Sequence, residues 1–255
     1  MIPASMPPPL PSPETPWAMF LDVDGTLLEF ASRPDDVEPM PGLIGILAEL
    51  GRSAPLALIS GRRIADLDRL FAPLSLPAAG QHGAERRGAD GRVHLAPVSK
   101  EALEPVCTRL RAWTQDRPGI VLEDKGLSLA LHYRGVPDRA GEATEVLEEA
   151  ARESGGAFLV KPGKMVVEFR PREADKGRAI EAFMGERPFA GCLPVFVGDD
   201  ATDEEGFGVV NGLGGYSVKV GEGPTLARWR LENVGKVLAW LDRCLRSSAP
   251  KLPGD

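Results

Sequence analysis

An apolar run that breaks off in two acids constrains this chain more than any other feature. Ala18 to Leu21 lead directly into Asp22-Val23-Asp24-Gly25-Thr26-Leu27-Leu28. The run predicts a buried strand with Asp22 at its end. Strand side chains alternate faces with period two, so Asp22 and Asp24 are expected on one side. Gly25 can bend the chain where other residues cannot. Open α/β sheets hold their ligands outside the carboxyl ends of their strands. Two carboxylates there favour a bound cation, or else a proton on one of them. One could attack an electrophile while its neighbour moves protons. An ordinary Asp-Gly turn has the same composition, so the rest of the chain must decide.

The pattern recurs. Pro55 to Ile59 is apolar and ends in Ser60-Gly61-Arg62, and Leu193 to Val197 is apolar and ends in Gly198-Asp199-Asp200-Ala201-Thr202-Asp203. Leu76 to Ala79 predicts a third strand, before Gly80-Gln81-His82-Gly83, and Tyr216 to Val220 predicts the last. Helical spacing is present in Pro41–Leu50, from about Arg63, after Asp175-Lys176-Gly177, in Pro224–Leu231 and in Val234–Leu245. Strand and helix in alternation predict an α/β fold, a Rossmann-like parallel sheet covered on both faces. Ser60 is then expected at the same sheet edge as Asp22.

After Val93 the order changes to helix, hairpin, helix, hairpin. The helices are expected at Ser99–Trp113 and Asp138–Glu153. The hairpins are expected to turn at Gly126 and at Pro162-Gly163. This predicts an inserted α+β module at 91–170, with core segments 17–90 and 171–247. Alternation places Glu123 with Lys125 on one strand face and Lys164, Glu168 and Arg170 on one face of another strand, so that a single sheet surface can present them together. A solvated outer face accounts for such positions as readily as a ligand surface does.

The chain has 255 residues, 43% hydrophobic and 26% charged, and a formal net charge of -7. It has enough apolar residues for a substantial core, and its acidity argues against a nucleic-acid partner. No run approaches the ~18 apolar residues of a membrane helix. Residues 1–16 are Pro-rich without Lys or Arg, unlike a signal peptide, and are expected to form a disordered tail. Cys107, Cys192 and Cys244 lack metal-ligand spacing and read as reduced thiols of a cytoplasmic protein.

Asp22-Val23-Asp24-Gly25-Thr26, Ser60, Lys176 and Gly198-Asp199-Asp200 through Asp203, in that order, resemble the four motifs of the haloacid dehalogenase superfamily. The insertion resembles that superfamily's C2B-type cap. Ser60-Gly61-Arg62, Gly80-Gln81-His82-Gly83, Glu123-Asp124-Lys125, His132-Tyr133-Arg134, Gly163-Lys164 and Glu168 with Arg170-Pro171 narrow the resemblance to the trehalose-6-phosphate phosphatase family. The resemblance implies a Mg²⁺-dependent phosphoric monoester hydrolase of trehalose biosynthesis. Asp22 would be the nucleophile and Asp24 the acid and base. Ser60 and Lys176 would hold the phosphoryl oxygens. Asp22, Asp24 through its carbonyl, and Asp199 would hold Mg²⁺, with Asp203 behind them. Substrate contacts would come from Gly61, Arg62, Gln81, His82, Glu123, Lys125, Arg134, Lys164 and Glu168. The expected partner is a small sugar phosphate, bound by a monomer with no nucleic-acid or membrane partner. A phosphatase for sucrose phosphate or mannosyl phosphoglycerate is the alternative, and a non-catalytic sugar-phosphate sensor is the non-enzyme one.

Overall fold

Four strands ending side by side create the surface on which the rest of the molecule is built. In the computed structural model, which describes residues 7–10, 12, 14–30, 37–98 and 100–248, β1 (Trp17–Leu21) lies between β10 (Leu193–Gly198) and β2 (Leu56–Ile59), all parallel. β3 (Ala78–Gly80) pairs in parallel beyond β2. β11 (Tyr216–Val220) and β12 (Trp229–Leu231) continue the sheet beyond β10. The order is β12-β11-β10-β1-β2-β3, extended by β4 (Glu85–Arg87) and β5 (Val93–Leu95). The chain winds outward in opposite directions from β1 and β10, so their carboxyl ends open a crevice at a topological switch point.

Burial follows the alternation of side chains. Met19 and Leu21 join one apolar cluster, beneath α1 (Leu43–Ser53), α2 (Ile64–Leu70) and α7 (Val234–Ser248). Ala18 and Phe20 join the cluster on the opposite face, beneath α5 (Lys176–Met184) and α6 (Asp203–Gly212). Phe20 stacks on Phe189 at 5.5 Å, and Phe196 meets Phe207 at 5.3 Å. Burying each such side chain contributes roughly 1.5–3 kcal/mol, which fixes β1 rigidly under the acids that follow it.

The second sheet, in order β6-β7-β9-β8, comprises β6 (Val121–Asp124), β7 (Leu129–His132), β8 (Phe158–Gly163) and β9 (Val166–Pro171). One face packs on α3 (Lys100–Gln115) and α4 (Ala140–Glu153) through Leu129, Leu131, Val167 and Phe169. Its opposite face carries a cross-strand row of Glu123, Ala130, Glu168 and Lys161.

The structure departs from the sequence reading at several places. Residues 229–231 form β12, paired with Val218–Val220, where a helix over 224–231 was expected. The first hairpin turns through four residues, Lys125 to Ser128, not through Gly126 alone. The second turns at Lys164-Met165, with Met165 at φ 61, and leaves Pro162-Gly163 inside β8. β8 is a sheet edge, where proline is tolerated. β4 and β5 had no expected counterpart, and β5 carries the large sheet on to Leu95. Of the stretch expected as a tail, residues 1–6, 11 and 13 lie outside the described residues. The described part touches the core, where Trp240 Nε1 donates to the carbonyl of Pro8 at 3.2 Å.

Candidate active site

Asp22 follows β1, Ser60 follows β2, Gln81 follows β3 and Asp199 follows β10, so all four stand at one edge of the sheet. Lys176 is the first residue of α5, which is capped by Asp175 accepting from Arg178 N. Its ammonium lies 2.8 Å from Asp22 Oδ1 and 2.6 Å from Asp203 Oδ1. All three side chains are buried. Burial alone would lower the Lys176 ammonium, but Asp203 and then Asp22 hold it above its ordinary value. The other oxygen of Asp203 accepts from Asp200 N at 2.8 Å, so this carboxylate ties Lys176 to the loop after β10.

Asp22, Asp199 and Asp203 each offer an oxygen within 4.8 Å of the other two. Burial and then the charge of Asp203 raise Asp22 well above the usual carboxylate range. Burial, Asp203 and Asp200 push Asp199 up to about 7. Asp199 Oδ1 is buried with no hydrogen-bond partner among the described residues. Crowded hard oxygens with an unsatisfied acceptor fit a divalent cation of the oxygen-preferring kind. Gly25 is what allows this crowding. It adopts φ 83, and a Cβ there would lie 2.7 Å from Phe30 Cε2 and inside the Asp199 carboxylate.

Asp24 has a different partner. Arg62 grips it with two hydrogen bonds, Nε to Oδ2 at 2.8 Å and Nη2 to Oδ1 at 2.7 Å. The fork is the geometry in which guanidinium and carboxylate pair best. Arg62 N also donates to Ser60 Oγ at 3.1 Å.

The inserted module meets the core on its polar face. Glu168 places Oε1 2.8 Å from Lys125 Nζ and Oε2 2.6 Å from His82 Nε2. Lys125 also donates to the carbonyl of Gly61 at 3.1 Å and lies 4.0 Å from Glu123. Glu123 is in turn 2.8 Å from His132 Nε2. Burial alone would raise Glu168, yet His82 and Lys125 hold it well below its usual range. His82 itself is lowered by burial despite Glu168. Gln81 and His82 both adopt positive φ, 48 and 58. That conformation costs a residue with a Cβ about 1–2 kcal/mol, and both side chains reach into the module. Gly61 lacks a Cβ where one would stand 2.6 Å from His82 Nε2.

Glu123, Lys125, Glu168, Gln81, His82, Gly61 and Arg62 form one connected set. Lys164, at the tip of the second hairpin, covers the Phe30 ring at 4.1 Å. Arg134 lies in an exposed turn beyond β7. Other participants went unread in the sequence. Glu205 accepts from Arg170 at 2.9 Å and pairs with Lys161 at 3.2 Å, joining α6 to the module. Lys219, buried on β11, donates to the Asp199 carbonyl. A lysine inside the otherwise apolar run Val218-Lys219-Val220 was the only signal for it.

The sequence model of the trehalose-phosphatase family matches residues 20–234, from within β1 to the first residue of α7. The chain belongs to that family. It is 46% identical over 207 residues to a probable trehalose-phosphate phosphatase of Sinorhizobium fredii, over 80% of this chain and 78% of that protein. Identity to the trehalose-6-phosphate phosphatase of Escherichia coli is 43% over 239 residues, 91% of this chain and 90% of that one. Among solved structures, the C-terminal domain of C. albicans trehalose-6-phosphate phosphatase matches with a TM-score of 0.81 and 24% identity, over 91% of this chain and 93% of that domain. At that identity the structural match speaks for the fold alone, a parallel-sheet core bearing a cap. Family membership makes the chain a phosphoric monoester hydrolase.

Proposed function

We propose that this protein hydrolyses trehalose 6-phosphate to trehalose and inorganic phosphate, with the phosphoryl group carried briefly on Asp22. The observation that carries the reading is the buried Asp22–Lys176–Asp203 array, 2.8 and 2.6 Å between partners, at the sheet edge where Lys125 and Glu168 of the cap bond to Gly61 and His82. The names of the S. fredii and E. coli relatives support the substrate.

In this reading an Asp22 oxygen attacks phosphorus in line, and the bond from phosphorus to the sugar oxygen breaks. Asp24 donates a proton to that departing oxygen, then takes one from the water that attacks the phosphoryl-aspartate. Phosphate leaves and Asp22 is regenerated. Ser60 and Lys176 hold phosphoryl oxygens, with Lys176 neutralising charge as it moves. Arg62 holds Asp24 until an anionic substrate draws the guanidinium away. Mg²⁺, with Asp22, Asp199 and the Asp24 carbonyl as its protein ligands, would offset the repulsion between anionic nucleophile and anionic phosphate. Asp203 orients Lys176 and the loop after β10.

The cap charges select the sugar. A sugar that inserts among Glu123, Lys125 and Glu168 has to replace the hydrogen bonds they make to His132, Gly61 and His82, and one lacking the right hydroxyls breaks those bonds without replacing them, which discriminates strongly. Three free cysteines support a reducing, cytoplasmic setting, and we read the protein as a monomer. Among the described residues no helix is long and apolar enough to cross a membrane.

Phosphate release across a panel of sugar phosphates with Mg²⁺ tests the proposal. Trehalose 6-phosphate should exceed glucose 6-phosphate, sucrose 6-phosphate and mannosyl phosphoglycerate in kcat/KM by at least about a hundredfold. A flat panel refutes the substrate, and tight binding without turnover identifies a sensor.

A further inference from the structure

The sequence groups Gln81 with the residues that would touch sugar, but its carboxamide is already engaged by protein. Oε1 accepts from Ser128 Oγ at 2.8 Å and from Leu127 N at 3.2 Å, both in the turn between β6 and β7. Nε2 donates to Glu85 Oε1 at 3.3 Å, and that oxygen also accepts from Ile64 N at 2.8 Å at the start of α2. Gln81 is 2% exposed, and its own N–H donates to the carbonyl of Arg62. One planar group therefore links α2 and β4 of the core to a turn of the cap.

That turn is the one carrying Lys125. Lys125 N donates to the Ser128 carbonyl at 3.0 Å and closes the turn, so the backbone gripped by Gln81 is the backbone that aims the lysine. Leu127, between them, is buried against Ala84 and Ala174 of the core. The ammonium of Lys125 then reaches both Gly61 O and Glu168. A carboxamide suits the post, because it accepts from the cap and donates to Glu85 at once. A carboxylate at this place would face Glu85 across 3.3 Å.

We propose that Gln81 is a positioning residue for sugar selection. It seats the β6–β7 turn on the core so that Lys125 stands between Gly61 and Glu168 when the cap is closed. The proposal rests on the reading of Lys125 as a sugar-binding residue.

The test compares Gln81→Ala, Lys125→Ala and the double variant, with kcat/KM measured for trehalose 6-phosphate and for a small aryl phosphate, and with thermal melting alongside. The readout is the ratio of the two constants. Losing the two hydrogen bonds that reach the cap turn, of the three the side chain makes, should lower that ratio about tenfold in Gln81→Ala. If Gln81 acts through Lys125, the double variant should have the same ratio as Lys125→Ala alone, within about twofold. Multiplying losses, or an unchanged ratio in Gln81→Ala, overturns the proposal while leaving the sugar-binding reading of Lys125 standing. An unchanged ratio in Lys125→Ala overturns both. Should Gln81→Ala not fold, Ser128→Ala removes only the shorter bond. It should lower the ratio about threefold, and no change there overturns the proposal.

Discussion

Replacing Glu168 with alanine should destabilise the whole protein as well as weaken substrate selection. Glu168 is 8% exposed, and its two oxygens have separate partners, Lys125 at 2.8 Å and His82 at 2.6 Å. The substitution strands the buried Lys125 ammonium with the Gly61 carbonyl and a Glu123 oxygen 4.0 Å away. Removing one partner of a buried ion pair costs about 3–5 kcal/mol. Lys125 lies on a turn that can lift from the core and rehydrate, so the lower end applies. At roughly 2–4 °C per kcal/mol for a protein of this size, the melting temperature should fall by about 6–12 °C at pH 7. The pH dependence follows from the folded value of Glu168, held well below 4.5. A depressed carboxylate contributes stability that is complete above its unfolded value and lost as pH falls through the folded one. Burial lowers His82 below 6.5 and Glu168 opposes that lowering, so the variant loses no less stability than wild type as His82 takes up its proton. Differential scanning fluorimetry from pH 3 to pH 8 should therefore show the gap between wild type and Glu168→Ala maintained from neutrality down to about pH 5 and closing below about pH 4.5. A gap under about 3 °C at pH 7, or one that still widens below about pH 4.5, would refute a cap locked to the core through this carboxylate.

Further outcomes follow from the core. Asp22→Asn should reduce phosphate release by more than about a thousandfold without lowering the melting temperature in metal-free buffer, since it removes one charge from three crowded carboxylates. Chelation by EDTA should abolish activity and added Mg²⁺ should restore it, whereas Asp199→Ala should need far more Mg²⁺, as titrations of rate against Mg²⁺ would show. Gly25→Ala, which sets a methyl group against Asp199 and Phe30 at φ 83, should stay folded by circular dichroism and lose at least about tenfold in kcat.

Much of this was legible because chemistry and folding use the same local signals. Four apolar runs, each ending in Asp, Ser or Gly, predict parallel strands, and the residues after them stand together at one sheet edge. Alternation in the cap strands correctly separated Leu129, Leu131, Val167 and Phe169 from Glu123 and Glu168. What could not be read was tertiary. Glu85-Arg86-Arg87 carries no apolar period, and it becomes a strand by pairing with Ala78–Gly80 on one side and Val93–Leu95 on the other. Trp229-Arg230-Leu231 fits helical and extended spacing alike, and the neighbouring Val218–Val220 decides it. The role of Gln81 depends on a turn 46 residues away, and the grip of Arg62 on Asp24 spans 38. No spacing rule reports either. Conversely, Pro162-Gly163 is turn chemistry by composition, but the pairing of Pro162 with Val167 and of Gly163 with Val166 carries the strand through it.

The joint by which the cap returns to the core is short. β9 ends at Pro171 and α5 begins at Lys176. Between them Arg172 N bonds to Ala157 O on the cap side, Ala174 N bonds back to Pro171 O, and Asp175 caps the helix. Glu173 is held through its side chain, whose carboxylate accepts from Arg178 Nη1 of α5 at 2.5 Å. A strand bearing Glu168 and a helix opening with Lys176 are thus coupled like two arms of one lever, with few torsions to absorb a swing. Opening the cap on this side cannot proceed as a loose drift. A swing of β9 on this side would turn about residues 172–175 and would carry the base of Lys176 with it. Lengthening the chain here would uncouple the two halves in a way that an equal insertion in an exposed surface loop would not.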